Sequence, residues 1–382
     1  MSKMARGQSP GIRNSIRILL LVVAGVAGAQ AGNWEIGLVD GSLGGSDSSL
    51  RIDQYGNAHV SYVGNTALQY SFWDHNLKKW FTTTLGRSSG FCSLVLDSKQ
   101  HPHISYPEYG LTKLTHAYWD GSSWQKQLIE VPSRYIAYDT SISLDLNDNP
   151  SITFYDYVGP TDDEYRRLRM VTWNSSVWEV ITVDSDHGSG KFNSMAVDSS
   201  GRQHVAYGNV DPERASLRYA RLDRTGWRHE ILESGYSGSW QAVIIIVDKH
   251  DIPHIAYSDV VNRVIKYATQ VNGKWQIQAV DTVGKVAFPD HDGLALDEQG
   301  VPYISYYDEK NGRLKVAYRK EQRWVSEIVD EGFAGLTSSL QIHDGTIWVT
   351  YSAGSGGGLK FARRQLDSRD SATRPQAPAI LK

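Results

Sequence analysis

The chain repeats one phrase: an apolar strand ending in Asp, a tight turn, then His-Ile-Ser-Tyr or a near variant. It stands out at Ser93–Tyr106, Ser194–Tyr207 and Gly293–Tyr306. The strand-end Asp recurs at Asp53, Asp97, Asp145, Asp198, Asp248 and Asp297, at intervals of 44 to 53 residues. A degenerate seventh copy, Ser339–Tyr351, carries His343 in place of the Asp. Each copy continues through Leu-x-Tyr-Ala or similar, a turn, a Trp and an apolar run that often closes in Val-Asp. A unit of four short strands cannot bury its own faces and must stack on its neighbours. Periods of this size therefore predict an all-β fold, a β-propeller of four-stranded antiparallel blades.

The register of the first copy predicts how the ring closes. Trp34–Asp40 precedes it and matches the fourth segment of a blade, as in Trp275–Asp281 and Trp324–Asp330. After the seventh copy the chain supplies a third segment, Leu359–Arg364, and no further Trp-x-x-x-x-Val-Asp. The expectation is a seven-bladed propeller whose last blade is closed by the N-terminal strand, leaving no open seam.

The repeats override the length of 382 residues, which alone would allow two or three domains. Residues 1–31 read as a signal peptide: Lys3, Arg6, Arg13 and Arg17 precede apolar Ile18–Val26, and Ala29-Gln30-Ala31 supplies a cleavage site. The apolar run is short for a span, so cleavage and a secreted or periplasmic protein without a stable membrane span are expected. The propeller is expected over 32–364, with a disordered tail at 365–382. Cys92 is the single cysteine, so no disulfide can form within the chain. The net charge of -3 and the lack of a basic stripe argue against nucleic acid as a partner.

Strand order sorts the loops into two faces. The first-to-second and third-to-fourth turns are short and vary little, and they share one face. The second-to-third loops and the inter-blade connections share the other and vary strongly, which is where function sits on a rigid scaffold. The long loop Tyr157–Arg167 and the connections Val131–Thr140, Asp184–Asn193 and Asp281–Asp292 bring Arg134, Tyr135, Tyr138, His187, Lys191, His291 and Asp292 to that face.

The conspicuous histidines His59, His103, His204 and His254 share one register, so they are spread around the ring. Their expected role is to bond the adjacent Asp-bearing turn. Two residues beyond each second-strand Tyr or Phe lie Gly64, Glu108, Asp156, Asn209, Asp259, Asp308 and Ala353. Four carboxylates and an amide at one mouth suit a divalent cation such as calcium, a hydroxyl-rich sugar or a basic ligand; alternatively each Asp caps its own loop.

The phrase D-x-x-G-x-x-H-I-S-Y followed by L-x-Y-A resembles the secreted bacterial sialidase-like, or BNR-type, propeller repeats, over Trp34–Arg364. That resemblance implies a glycan or polysaccharide partner, since the group holds lectins, glycosidases and propeller lyases such as the ulvan lyases. Leu50-Arg-Ile-Asp53 replaces the Arg-Ile-Pro of sialidases, and their S-x-D-x-G-x-T-W boxes are missing. Propeller lyases imply His and Tyr at the mouth beside a charge-neutralising group. Tyr157, His187 and Lys191 are the candidates here, although no motif aligns them. A hydrolase would instead use two of Glu108, Asp156, Asp259 and Asp308. Because scaffold residues repeat while mouth loops differ, one site is expected, with Asn209, Asp259, Asp308, Arg134, Tyr138 and His291 binding ligand. A lectin-like module and a cell-surface interaction scaffold are the alternatives.

Overall fold

The computed structural model describes residues 33–366, apart from 43, 89, 111–112, 132–134, 158–165, 236–239, 284–292, 333 and 355. The expected leader and tail lie outside these residues, save Gln365 and Leu366.

Seven four-stranded antiparallel sheets follow one another along the chain. The first takes Ser46–Ile52, Ala58–Gly64, Ala67–Asp74 and Lys79–Arg87 from inside outwards. The fourth takes Ser189–Val197, Gln203–Asn209, Ser216–Asp223 and Gly226–Ser234. The seventh takes Ser338–His343, Thr346–Ser352 and Leu359–Gln365, and its outer strand is Glu35–Asp40 from the N-terminal side. Register there runs Glu35↔Arg363 to Leu38↔Lys360, and Arg363 clamps Glu35 through two bonds of 2.8 and 2.9 Å. Innermost strands pack on one another around the whole circle, last against first. The molecule is the expected seven-bladed propeller.

Its core belongs to the seams. Among the described residues the buried apolar side chains form seven clusters, each shared by two neighbouring blades. The blade tryptophans sit in these seams: Trp124 meets Tyr70 at 4.8 Å, Trp275 meets Tyr219 at 5.0 Å, and Trp324 meets Tyr267 at 5.3 Å, all edge to face.

The repeated polar residues explain the phrase. In all six copies the Asp accepts, through Oδ1, the amides two and four residues on, as Asp53 does from Tyr55 and Asn57 at 2.8 Å. Its Oδ2 faces the following His, at 3.4 Å in Asp53–His59 and 3.2 Å in Asp198–His204. The other ring nitrogen meets a third-strand hydroxyl, with Tyr70 2.7 Å from His59 and Tyr219 2.7 Å from His204. These buried relays hold turns to strands in the first, fourth and fifth blades, the last through His254 and Tyr267. The Ser opening the phrase does a different task. Its hydroxyl accepts from an inner-strand amide of the next blade: Ser339 from Leu50, Ser49 from Leu94, Ser93 from Ile142, Ser141 from Met195 and Ser194 from Ile245, at 2.9–3.3 Å.

Candidate functional site

Outer strands ending in Val-Asp reach across to the next blade. Asp184 accepts from Tyr207 at 2.7 Å and from Arg218 at 2.9 Å. The same arrangement joins Glu233 to Tyr257 and Lys266, Asp281 to Tyr306 and Lys315, and Asp330 to Tyr351 and Lys360. The cation is the variable residue of Leu-x-Tyr-Ala, directly opposite the Tyr on the neighbouring strand, as in Tyr207↔Arg218. Burial pushes each of these Tyr hydroxyls up, and the adjacent carboxylate adds to it, so all remain protonated donors.

The seam between the third and fourth blades departs from this scheme. Here Arg218 also holds Asp186 at 2.8 Å and Ser189 at 3.3 Å. Burial pushes the Asp184 carboxyl up, but the Asp186 amide, Tyr207, Arg218 and Ser189 outweigh it and hold it below its ordinary range. Above this cluster, on the variable face, opens a cleft of about 600 Å³ lined by Arg167, Asp184, Asp186, Arg218 and His229.

The connection beyond Asp186 carries His187. Its Nδ1 lies 2.6 Å from Asp211 Oδ2. A carboxylate only accepts, so Nδ1 donates, and in the neutral form of the ring the Nε2 lone pair is the free one. Nε2 has no hydrogen-bond partner among the described residues and is shielded from solvent. The His187 bond is the first cause of a lowered Asp211 pKa. Asn209 fixes the pair: its amide donates to His187 O at 3.0 Å and Ser189 Oγ at 2.9 Å, and its Oδ1 accepts the Asp211 amide at 2.9 Å. The connection passes so close that a Cβ on Gly188 would come within 2.5 Å of the Asp211 nitrogen, and its φ of +82° also selects glycine.

The other candidates fall elsewhere. Asp156 is fully buried and holds Arg167 at 3.2 Å and Arg169 at 3.3 Å. Asp259 accepts the amide and side chain of Asn262 and Lys266 Nζ at 2.8–3.0 Å. Asp308 likewise holds Asn311 at 2.8 Å. Half-buried Glu108 bridges backbone to backbone with Ser88. Lys191 Nζ lies 5.0 Å over the Phe192 ring. The side chains of Tyr138 and Tyr157, and Arg134 and His291 entirely, lie outside the described residues. Among the described residues no group of three or more His, Cys, Asp or Glu is placed to hold a metal ion. The structure thus brings His187 and Asn209 together and adds Asp211, Arg167 and Asp184, which sequence reasoning did not single out. The recurring Val-Asp ending was the visible signal for Asp184.

No protein-family model matches the sequence, and a search of curated proteins finds no match. Solved structures do resemble this chain in fold. An ulvan lyase of polysaccharide lyase family PL25 bound to -[GlcA(1-4)Rha3S]- is 12% identical with a TM-score of 0.58, over 84% of this chain and 94% of that one. The polysaccharide lyase Uly1 is 10% identical with a TM-score of 0.52, over 85% and 90%. A protein of unknown function from Dyadobacter fermentans is 10% identical with a TM-score of 0.51, over 90% and 100%. What the chain shares with them is the propeller fold.

Proposed function

We propose that this chain is an exported carbohydrate-active propeller that cleaves an acidic polysaccharide by elimination at the third–fourth blade seam. The observation that carries this reading is the His187–Asp211 pair, oriented by Asn209, on the connection that edges an arginine-lined cleft. Elimination next to a uronate carboxyl needs a base for the α-proton and a cation that neutralises the carboxylate. Nε2 of His187 is the base, and half-exposed Arg167 is the cation. The C–H electron pair forms the new C=C bond as the glycosidic C–O bond breaks, and the departing oxygen takes up a proton. The similarity to polysaccharide lyases in fold supports the substrate class.

One observation favours a second reading, glycan binding without turnover: Nε2 is shielded from solvent. Incubation with acidic and neutral polysaccharides separates the two. Elimination gives a rise in ultraviolet absorbance from the unsaturated product, abolished in His187→Asn with binding retained. Reducing ends without that absorbance indicate a hydrolase, and binding without either product indicates a lectin-like module.

A further inference from the structure

On the opposite, turn-bearing face the seam between the first and second blades opens into a second cleft, of about 450 Å³. Its walls are aromatic. Phe81 is 44% exposed and Tyr55 68% exposed, while Phe72, Trp119 and Trp124 are partly buried around them. Phe81 follows the outer-strand Trp, a position held elsewhere by Glu35, Gln125, Glu179, Arg228, Gln276 and Val325. Five of those six residues are polar or charged, as an exposed outer-strand site requires, so a solvent-facing ring there is unexplained by packing. Tyr55 likewise sits at a turn position held by Lys99, Asn147, Ser200, His250 and Gln299 in the next five copies. These rings come from separate elements of two blades and meet in one cleft.

The rim is polar and positive. Lys99 lines it together with Thr83, Gln100 and His101, and Lys79 lies 5.2 Å over the Phe81 ring. The acidic member, Asp53, is buried and committed to its own turn and to His59. Flat rings suit the C–H faces of a pyranose, hydroxyl and amide groups suit its hydroxyls, and the lysines suit a carboxylate or sulfate on it.

The geometry points to a second carbohydrate site, separate from the third–fourth seam, that binds an acidic sugar ring of a polysaccharide. It rests on the cleft's own chemistry and not on the elimination reading. A polymer held here is kept at the protein surface at high local concentration without being at the mouth.

The test is affinity electrophoresis of the full chain in gels containing polygalacturonate, alginate, hyaluronan or ulvan, with laminarin as the neutral control. At least one acidic polymer retards the wild type. Phe81→Ser and Lys99→Gln each weaken that association at least fivefold with unchanged melting temperature, whereas His187→Asn does not. Four outcomes overturn the proposal: no retardation by any acidic polymer, retardation unaltered by both cleft variants, equal retardation by laminarin, or a cleft that instead takes up only a hydrophobic dye. Because the readout is binding in the presence of an intact or disabled His187, its failure is distinguishable from failure of the elimination reading.

Discussion

Mild acid will weaken this propeller at the second blade, where His116 stands at the position of Tyr70, Tyr219 and Tyr267. The equivalent residues Tyr70, Tyr219 and Tyr267 donate to the second-strand His59, His204 and His254, but His116 Nε2 instead meets His103 Nδ1 at 3.0 Å. Its Nδ1 faces Gln127 Oε1 at 3.3 Å, and that oxygen also accepts from Trp178 Nε1. Gln127 Oε1 therefore accepts a hydrogen bond from His116 Nδ1–H, Nε2 must accept from His103, and a second proton would set two N–H groups against each other. Burial, and then His103, push the His116 pKa down from 6.5 to about 3. The folded state thus favours the neutral ring. Its contribution is intact above pH 6.5, falls as the unfolded chain binds protons below that value, and levels off below about pH 3. Each pH unit in that window is worth about 1.4 kcal/mol, so moving from pH 7 to 5 costs about 2 kcal/mol from this side chain. Carboxylates contribute little in the same interval, because their unfolded pKa values lie near 4. Urea unfolding at pH 7, 6 and 5 measures it. His116→Tyr, which installs the residue of the first, fourth and fifth blades, will flatten the pH dependence by about 2 kcal/mol relative to wild type. Equal slopes for the two proteins would refute the reasoning.

Further expectations concern the seams. Ser141→Ala removes the acceptor of the buried Met195 amide and will lower stability by about 1–3 kcal/mol in urea titration. Arg218→Met leaves Asp184 and Asp186 without their cation and will cost about 3–5 kcal/mol, with much of it recovered when Asp184→Asn is added. Deleting residues 33–40 removes buried Trp34 and the outer strand of the last blade, and a broad, weakened thermal transition is expected in place of a sharp one.

Blade number and closure were legible because they rest on register, which a repeat displays directly. The Asp–His relays were legible for a related reason: Asp53 and His59 are six residues apart and repeat together. Contacts across seams were not. Asp184 meets Tyr207 and Arg218 from 23 and 34 residues away, and the Val-Asp ending that marks Asp184 does not mark those partners. Asp211 was hidden for the same reason. It follows Asn209 in a loop of ordinary polar composition and gains meaning only when Gly188 lets the preceding connection come within touching distance. Mouth carboxylates such as Asp259 and Asp308 share a register with Asn209, and a register cannot say which of them spends its acceptors on its own loop.

The strand Glu35–Asp40 also sets a schedule. Its one sheet neighbour among the described residues is Leu359–Gln365, and the Glu35–Arg363 clamp spans 328 residues of chain. Of the strands of the ring, the first in chain order is thus paired with the last, and the earlier blades stack before it can dock. Until then two raw edges, one at each end of the growing stack, remain open to other chains. Docking converts an open-ended pile of blades into a circle with no place to start unravelling. A product cut short within the last blade leaves Trp34 and its strand without a seat, so only a finished chain conceals its sticky edges.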